Sequence, residues 1–219
     1  MPVARKVPAT PGRTVVIRRH NRGMEPVTLR TSRLLLRPFE ARDLEAVRLA
    51  CQDPEITRWL PVPDPYLREH AEEFVLGTSP AGWREDTMYN FGVFTLDGEL
   101  TGSMGLVRIE RLRTVERQAE IGFWTARERR GQGYTDEAAR AVIDWAFGTL
   151  GVERLEWVAQ VGNEGSRGVA RRLGFVLEGV QRARIVHRGT RRDAWIAALL
   201  PTDWQRPLHT PYLPAPTPR

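Results

Sequence analysis

Lysine is almost missing from this chain: of its 33 basic residues among 219, only Lys6 is a lysine. No lysine follows a glycine-rich loop to reach nucleotide phosphates, and none in the body can form a Schiff base. P-loop NTPase and pyridoxal-phosphate chemistry are thereby excluded. Cysteine is equally scarce. The single Cys51 rules out an internal disulfide framework and a cysteine-based zinc knuckle, and it fits a reducing, cytoplasmic setting. His20, His70, His187 and His209 have no metal-ligand spacing, so no metal is expected. Long apolar runs are absent too. Residues 1–22 offer only Val15, Val16 and Ile17, which is neither a signal peptide nor a membrane helix, and no later stretch would span a bilayer.

What is present describes a globular chain: 41% hydrophobic and 27% charged residues, seven Trp and seven Phe, in a length that suits one domain. A net charge of +6 would by itself suggest a nucleic-acid partner. Its location argues otherwise. Residues 1–30 hold seven basic side chains against Glu25 alone, while the other 189 residues hold 26 basic and 26 acidic ones. Prolines punctuate both ends. Residues 1–26 are therefore expected to be a flexible basic arm, with Met24 a second candidate start, and 206–219 a proline-rich tail around a single domain over 27–205. Nucleic-acid binding would rest on the arm alone and is not expected of the neutral body.

Within the body, alternation predicts strands over 28–37, 89–95, 100–109, 119–125, 155–161, 175–187 and 193–200, with Asp97-Gly98 as a hairpin turn. Helical periodicity predicts helices over 43–51, 66–76, 135–150 and 166–173, the third capped by Gly151. Residues 59–64 read as a proline-broken loop within an irregular region reaching 88. Seven strands and four helices in this order imply an α/β (α+β) fold: a mixed, mostly antiparallel sheet with helices on both faces. Gly122, in mid-strand, suggests a bulge or a close approach of another backbone.

The informative segment is Arg129-Arg130-Gly131-Gln132-Gly133-Tyr134-Thr135, between a strand and the longest predicted helix. Two residues without Cβ let the chain turn sharply and gather N–H groups. The helix start adds unpaired donors and a positive dipole end, and two arginines add charge where phosphates would sit. The alternative is a plain tight turn. A dinucleotide-binding loop is a weak reading, because Asp136 stands where its third glycine belongs.

This segment resembles motif A of the GNAT acyl-CoA-dependent N-acetyltransferases, Arg/Gln-x-x-Gly-x-Gly/Ala, with Thr135 where Ala or Gly is usual. Asn163-Glu164-Gly165-Ser166, Leu173-Gly174-Phe175, Arg192-Asp193 and Thr202-Asp203-Trp204 resemble elements of its RimJ/RimL-like branch, so the likeness runs from about Leu29 to Trp204. The resemblance implies a sheet splayed between its fourth strand (119–125) and fifth strand (155–161), holding the pantetheine arm of acetyl-CoA. It assigns cofactor contacts to Phe123, Trp124 and Thr125, to the loop from Arg129 to Thr135, and to Asn163 and Ser166. It makes Glu120 the base that takes the amine proton; otherwise Glu120 is an exposed strand residue paired with an arginine. Relatives often carry a Tyr proton donor where Ala170 stands, which leaves Ser166 as the donor in its place. Ser166 is alternatively a helix N-cap, and Asn163 a turn residue. Trp59, Tyr66 and Trp83 would shape the acceptor pocket or pack beneath its loops. The implied activity is direct transfer of acetyl from acetyl-CoA to a primary amine, either a protein N-terminal α-amine or a small molecule such as a polyamine, antibiotic or amino acid. A non-catalytic acyl-CoA-binding module is the reading from another class. Acyl-chain preference stays open, as does monomer or homodimer.

Overall fold

The computed structural model describes the backbone of Arg19–His20 and residues 23–215. Eight strands form one sheet in the order β3-β4-β5-β6-β7-β8-β10-β9: β3 (Leu29–Arg30), β4 (Leu34–Arg37), β5 (Tyr89–Thr95), β6 (Leu100–Val107), β7 (Gln118–Thr125), β8 (Arg154–Gln160), β9 (Val176–His187) and β10 (Thr190–Leu199). All neighbours are antiparallel except β7 and β8. A separate two-stranded ladder joins β1 (Arg19–His20) to β2 (Gly23–Met24). Alternation along the strands sends their apolar residues to two faces, and each face has its own core. One face carries α5 (Tyr134–Trp145) and α6 (Glu164–Arg172), with Phe91, Met104, Ile121, Leu155 and Trp157 packed on Ala138, Ala139, Val142 and Val169. The other carries α1 (Leu44–Ala50), α2 (Pro54–Trp59) and α3 (Arg68–Glu72), with Phe39, Val47, Ile56, Tyr66 and Phe94 buried together and Trp124 at their edge.

The sheet has eight strands where seven are predicted, because residues 31–33 turn the first predicted strand back on itself to give β3 and β4. One side chain fastens that turn. Glu137, in the first turn of α5, accepts from the Thr31 and Ser32 hydroxyls, the Arg33 N–H and the Arg33 Nε at 2.6–3.0 Å. Periodicity along one segment carries no trace of a carboxylate a hundred residues away. Helix α2 goes unpredicted behind its proline. Asp53 caps it, accepting from Glu55 N at 3.1 Å, and Pro54 occupies the first turn where an N–H is dispensable. The helix predicted to stop at 76 instead runs from α3 through a π-helical stretch, Glu73–Thr78, into α4 (Ser79–Glu85). Pro80 would clash with the carbonyl of an ordinary helical turn, and the wider turn before it avoids that clash. The region to 88 is therefore largely helical, and the molecule has six α-helices among the described residues.

The described residues within 1–26 and 206–219, the expected arm and tail, make contacts with the body. Met24 is only 7% exposed and joins the main core. Arg206 bonds Asp144, and the Thr210 N–H donates to Glu153 at 3.2 Å. Residues 1–18 and 216–219 lie outside the described residues. No helix among those described is long and apolar enough to cross a membrane.

Replacing Glu137 by Ala removes the shared acceptor of the β3–β4 turn and should cost about 2 kcal/mol in urea unfolding, with Glu137→Gln costing less because one oxygen remains. A loss below about 0.5 kcal/mol for the alanine variant would show that the turn holds without it.

Candidate active site

β7 and β8 are partners for only three residue pairs: Gln118 with Arg154, Ala119 with Leu155, and Glu120 with Glu156. Beyond Glu120 the strands part. β7 stays paired to β6 as far as Thr125, and β8 to β10 as far as Gln160, so each presents a bare backbone edge to the gap between them. The splay expected between the fourth and fifth strands is present. Gly122 lies just past the parting point, but the β6–β7 register runs through it without a shift, and a Cβ there would meet only Val107 methyls at 3.7–3.8 Å. There is no bulge, nor any close approach by the chain's own backbone; Gly122 keeps the floor of the gap low.

At the open end, β7 runs through a short 3-10 turn (Arg127–Arg129) into the glycine loop. Gly131 and Gly133 adopt φ of 73° and 77°, the left-handed region that glycine enters without penalty, and Gly133 caps α5. A Cβ at Gly131 would meet nothing within 4 Å, so the concave side of the loop is open. The first N–H groups of α5 have no partner within their own helix. Thr135, the departure from the usual motif, bonds its hydroxyl to that of Thr125 at 2.6 Å and ties the helix start to the end of β7. Thr125, Thr135, Trp124 and Tyr134 line a small cleft with Ser103 and Ala138. The two carboxylates in the first turn of α5 are both engaged: Asp136 by a two-pronged bond from Arg172 at 2.6 and 2.9 Å, and Glu137 by Arg33. Their charge is thereby offset beside an anion site. Arg33 also donates to Gln132 O at 3.1 Å and stacks over Tyr134. The expected Arg129-Arg130 cation pair is present but not free. Arg129 reaches Glu99 at 3.3 Å, while Arg130 holds Asp53 and donates to Thr125 O.

At the closed end, Glu120 lies at the apex of the gap with its side chain 14% exposed and its Oε2 3.1 Å from Arg108 Nε. Glu120 therefore has the arginine partner of the structural reading but is not exposed. Burial raises its pKa to about 7, Arg108 and Arg184 pull the other way, and Glu156 and Glu110 add to the rise. Arg108 reaches it from a left-handed position, φ 51°, directly after β6. Glu156 is held by Arg154, which also grips Glu178 with two bonds.

Asn163, not Ser166, caps α6: its Oδ1 accepts from Ser166 N at 3.1 Å. The Ser166 hydroxyl instead accepts from the indole N–H of buried Trp157 at 2.9 Å. With that lone pair occupied, its own proton is free to be donated. Trp157 is invisible as a functional residue in the sequence, where it reads as one more apolar position in a strand. Trp59 stands half-buried at the mouth of the gap, its carbonyl bonded to Gln160 at 3.3 Å and its ring near Gly162. The other two expected acceptor-pocket residues are elsewhere. Trp83, 1% exposed, stacks against Tyr89, Phe91 and Trp145 in the main core. Tyr66, 5% exposed, packs in the second core, where its hydroxyl bonds His70 O. Both are long helical or loop aromatics whose large apolar area outweighs any exposed role.

The sheet thus opens beside a glycine turn and a helix N-terminus, with a largely withdrawn carboxylate at the apex of the gap. The family whose model matches residues 33–176 is the acetyltransferase (GNAT) domain, and the chain belongs to this family. It is 38% identical over 109 residues to YdaF of Bacillus subtilis (strain 168), provisionally named a ribosomal N-acetyltransferase; the match takes in 50% of this chain and 58% of that one. It is 29% identical over 160 residues to the spermidine N(1)-acetyltransferase of Escherichia coli (strain K12), across 73% of this chain and 81% of that one. A solved structure from Vibrio cholerae, provisionally titled a ribosomal-protein-serine acetyltransferase, superposes with a TM-score of 0.72 at 26% identity, covering 80% of this chain and 98% of its own. These relatives agree with the RimJ/RimL-like resemblance.

Glu120 binds a proton more tightly folded than unfolded. Between its ordinary pKa and about 7 the native state therefore holds the extra proton, and folding stability should fall as pH rises through that window. Urea titrations from pH 4 to 8 should show this decline in the wild type and a flatter profile in Glu120→Gln. Identical profiles would show that Glu120 titrates normally.

Proposed function

We propose that this chain is an acetyl-CoA-dependent N-acetyltransferase that passes the acetyl group directly to a primary amine, and that the amine is a protein N-terminal α-amine. The observation that carries this reading is Glu120: a half-buried carboxylate poised near neutral pH at the point where an open strand edge leads to a glycine loop and helix N-terminus. Acetyl-CoA, when bound, supplies the thioester acyl group. The loop from Gly131 to Thr135 and the N-terminus of α5 hold its phosphates, with Arg129 and Arg130 close by, and the bare edge of β7 from Phe123 to Thr125 offers N–H groups to its arm and carbonyl. Asn163 holds α6 in place at the far side of the gap. A carboxylate with a pKa near 7 takes a proton from an ammonium group at physiological pH and leaves the amine able to attack. As the C–S bond breaks, Ser166, oriented by the Trp157 N–H, gives its proton to the departing thiolate and regains one from the newly bonded nitrogen, which leaves the neutral amide and the free thiol.

The protein acceptor is supported by the name of YdaF. The second reading, a small amine, is favoured by the likeness to the spermidine enzyme. Thiol release with acetyl-CoA across free N-terminal peptides and small amines tests both. The wild type should turn over peptides, with kcat/KM rising with pH about a limb near 7. Glu120→Gln should lower kcat about a hundredfold, Arg108→Gln should move the limb to higher pH, and Ser166→Ala and Trp157→Phe should lower kcat with little change in KM for acetyl-CoA. Cofactor binding with no thiol release across the panel would identify a non-catalytic module instead.

Gly133→Val forces a branched residue into a left-handed turn and should weaken CoA binding at least tenfold by calorimetry. Unchanged affinity would remove this loop from the site.

A further inference from the structure

The charge on the acceptor side of Glu120 is unevenly distributed. The hairpin of β9 and β10 carries Arg182, Arg184, Arg188, Arg191 and Arg192 against Glu178 and Asp193. Both acids are already committed: Glu178 is gripped by Arg154, and Asp193 accepts the Ala183 N–H at 2.8 Å. That bond sits at a shift in the β9–β10 register, where Ala183 takes a φ of 53°, and the hairpin tip beyond it docks across the gap. Arg188 there bonds Thr57 O at 3.2 Å and pairs with Asp64 at 2.9 Å, so the tip meets α2 and the 60–66 loop beside Trp59. Arg184 lies close enough to Glu120 to act on its charge. Arg182, Arg184 and Arg192 are exposed and make no ion pair among the described residues, and Arg191 bonds only the Ala183 carbonyl. The opposing carboxylates are few. Glu156 is held by Arg154, and Glu110, on the 3-10 turn after Arg108, is the exposed acid left.

We infer that the β9–β10 hairpin selects acceptors whose amine is followed by carboxylates, that is, acidic N-terminal peptide segments, and rejects polycations. The inference rests on the transfer reading above and names its acceptor class. A peptide entering past Trp59 with its amine at Glu120 leaves beside the β9–β10 hairpin, where Arg184 acts on the charge of Glu120 and Arg182 and Arg192 are exposed on the same hairpin. Uncompensated guanidinium groups attract carboxylates there in two-pronged geometry and repel a polyamine's second and third ammonium groups.

Three peptides with free amino termini, alike except for Asp, Asn or Lys at their second to fourth residues, and spermidine as a fourth acceptor, test this by thiol release with acetyl-CoA. The Asp peptide should exceed the Asn peptide about tenfold in kcat/KM at low salt, with the Lys peptide and spermidine below both. The preference should shrink at about 0.5 M salt and fall to within about threefold in Arg182→Gln/Arg184→Gln/Arg192→Gln. A wild type indifferent to peptide charge, one that prefers Lys, or a preference that survives salt and the triple variant would overturn the inference. Fluorescence anisotropy of the same peptides with the CoA-loaded protein separates the two readings. Arginine-dependent binding of the Asp peptide without thiol release would uphold selection and overturn transfer. Equal turnover of all three peptides would uphold transfer and overturn selection. Neither binding nor turnover would overturn both.

Discussion

The parting of β7 and β8 after three residue pairs is the constraint on which the working face depends. A parallel pair needs evenly spaced bonds along both strands, and here the ladder stops at Glu120 and Glu156, two carboxylates side by side. Had it continued, β7 would have no free edge, Glu120 would sit in the middle of a closed sheet, and the glycine loop would lead nowhere. Because it stops, one gap joins a half-buried acid at its apex to the helix N–H groups at its mouth. The departing strands are held by what flanks them: β6 on one side, β10 on the other, and α5 fastened to the end of β7 by the Thr125–Thr135 hydroxyl pair.

A chain with one lysine also builds its polar framework almost wholly from guanidinium forks, which fix direction as well as charge. Arg37 reaches both oxygens of Asp43 at 2.7 and 2.9 Å and lies over the Phe94 ring, joining β4 to the start of α1 within the second core. Arg33 joins the β3–β4 turn to the glycine loop, Arg172 joins α6 to α5, and Arg130 joins that loop to α2. The glycine loop, α6 and α2 are therefore connected through arginine contacts, of which that between Arg172 and Asp136 is two-pronged. Among the described residues, four arginines without a carboxylate partner, Arg182, Arg184, Arg191 and Arg192, stand on one hairpin.

Elements with a strong local pattern were legible in advance. The long helix over 135–150, the Asp97-Gly98 hairpin and the strand carrying Glu120 all lie where periodicity and turn chemistry put them. The failures have physical causes of their own. The β3–β4 turn depends on Glu137, a hundred residues downstream. The continuation of α3 into α4 depends on a π-helical stretch that accommodates Pro80. Trp83 and Tyr66 look in sequence like aromatic pocket walls, and burial is a property of neighbours that a sequence does not list. The contact between the Trp157 indole N–H and Ser166 joins a strand to a helix nine residues on, and strand alternation carries no sign of it.

The sequence by itself determined the chemistry on offer: the residue types of the loop, the candidate carboxylate and hydroxyl, and the exclusion of metal-knuckle, P-loop and Schiff-base routes. Those conclusions rest on composition and on local backbone preference, which act over a few residues. Tertiary structure decided which groups are available and in what state. Glu120 is shifted toward neutrality because strands distant in sequence withdraw it from water beside Glu156, against the pull of Arg108. The Ser166 hydroxyl is oriented by the indole N–H of a strand tryptophan, and Arg129 and Arg130 are restrained because the β5–β6 turn and the start of α2 supply acids. Desolvation and hydrogen-bond partnership are set by proximity in space, and only the folded chain creates that proximity.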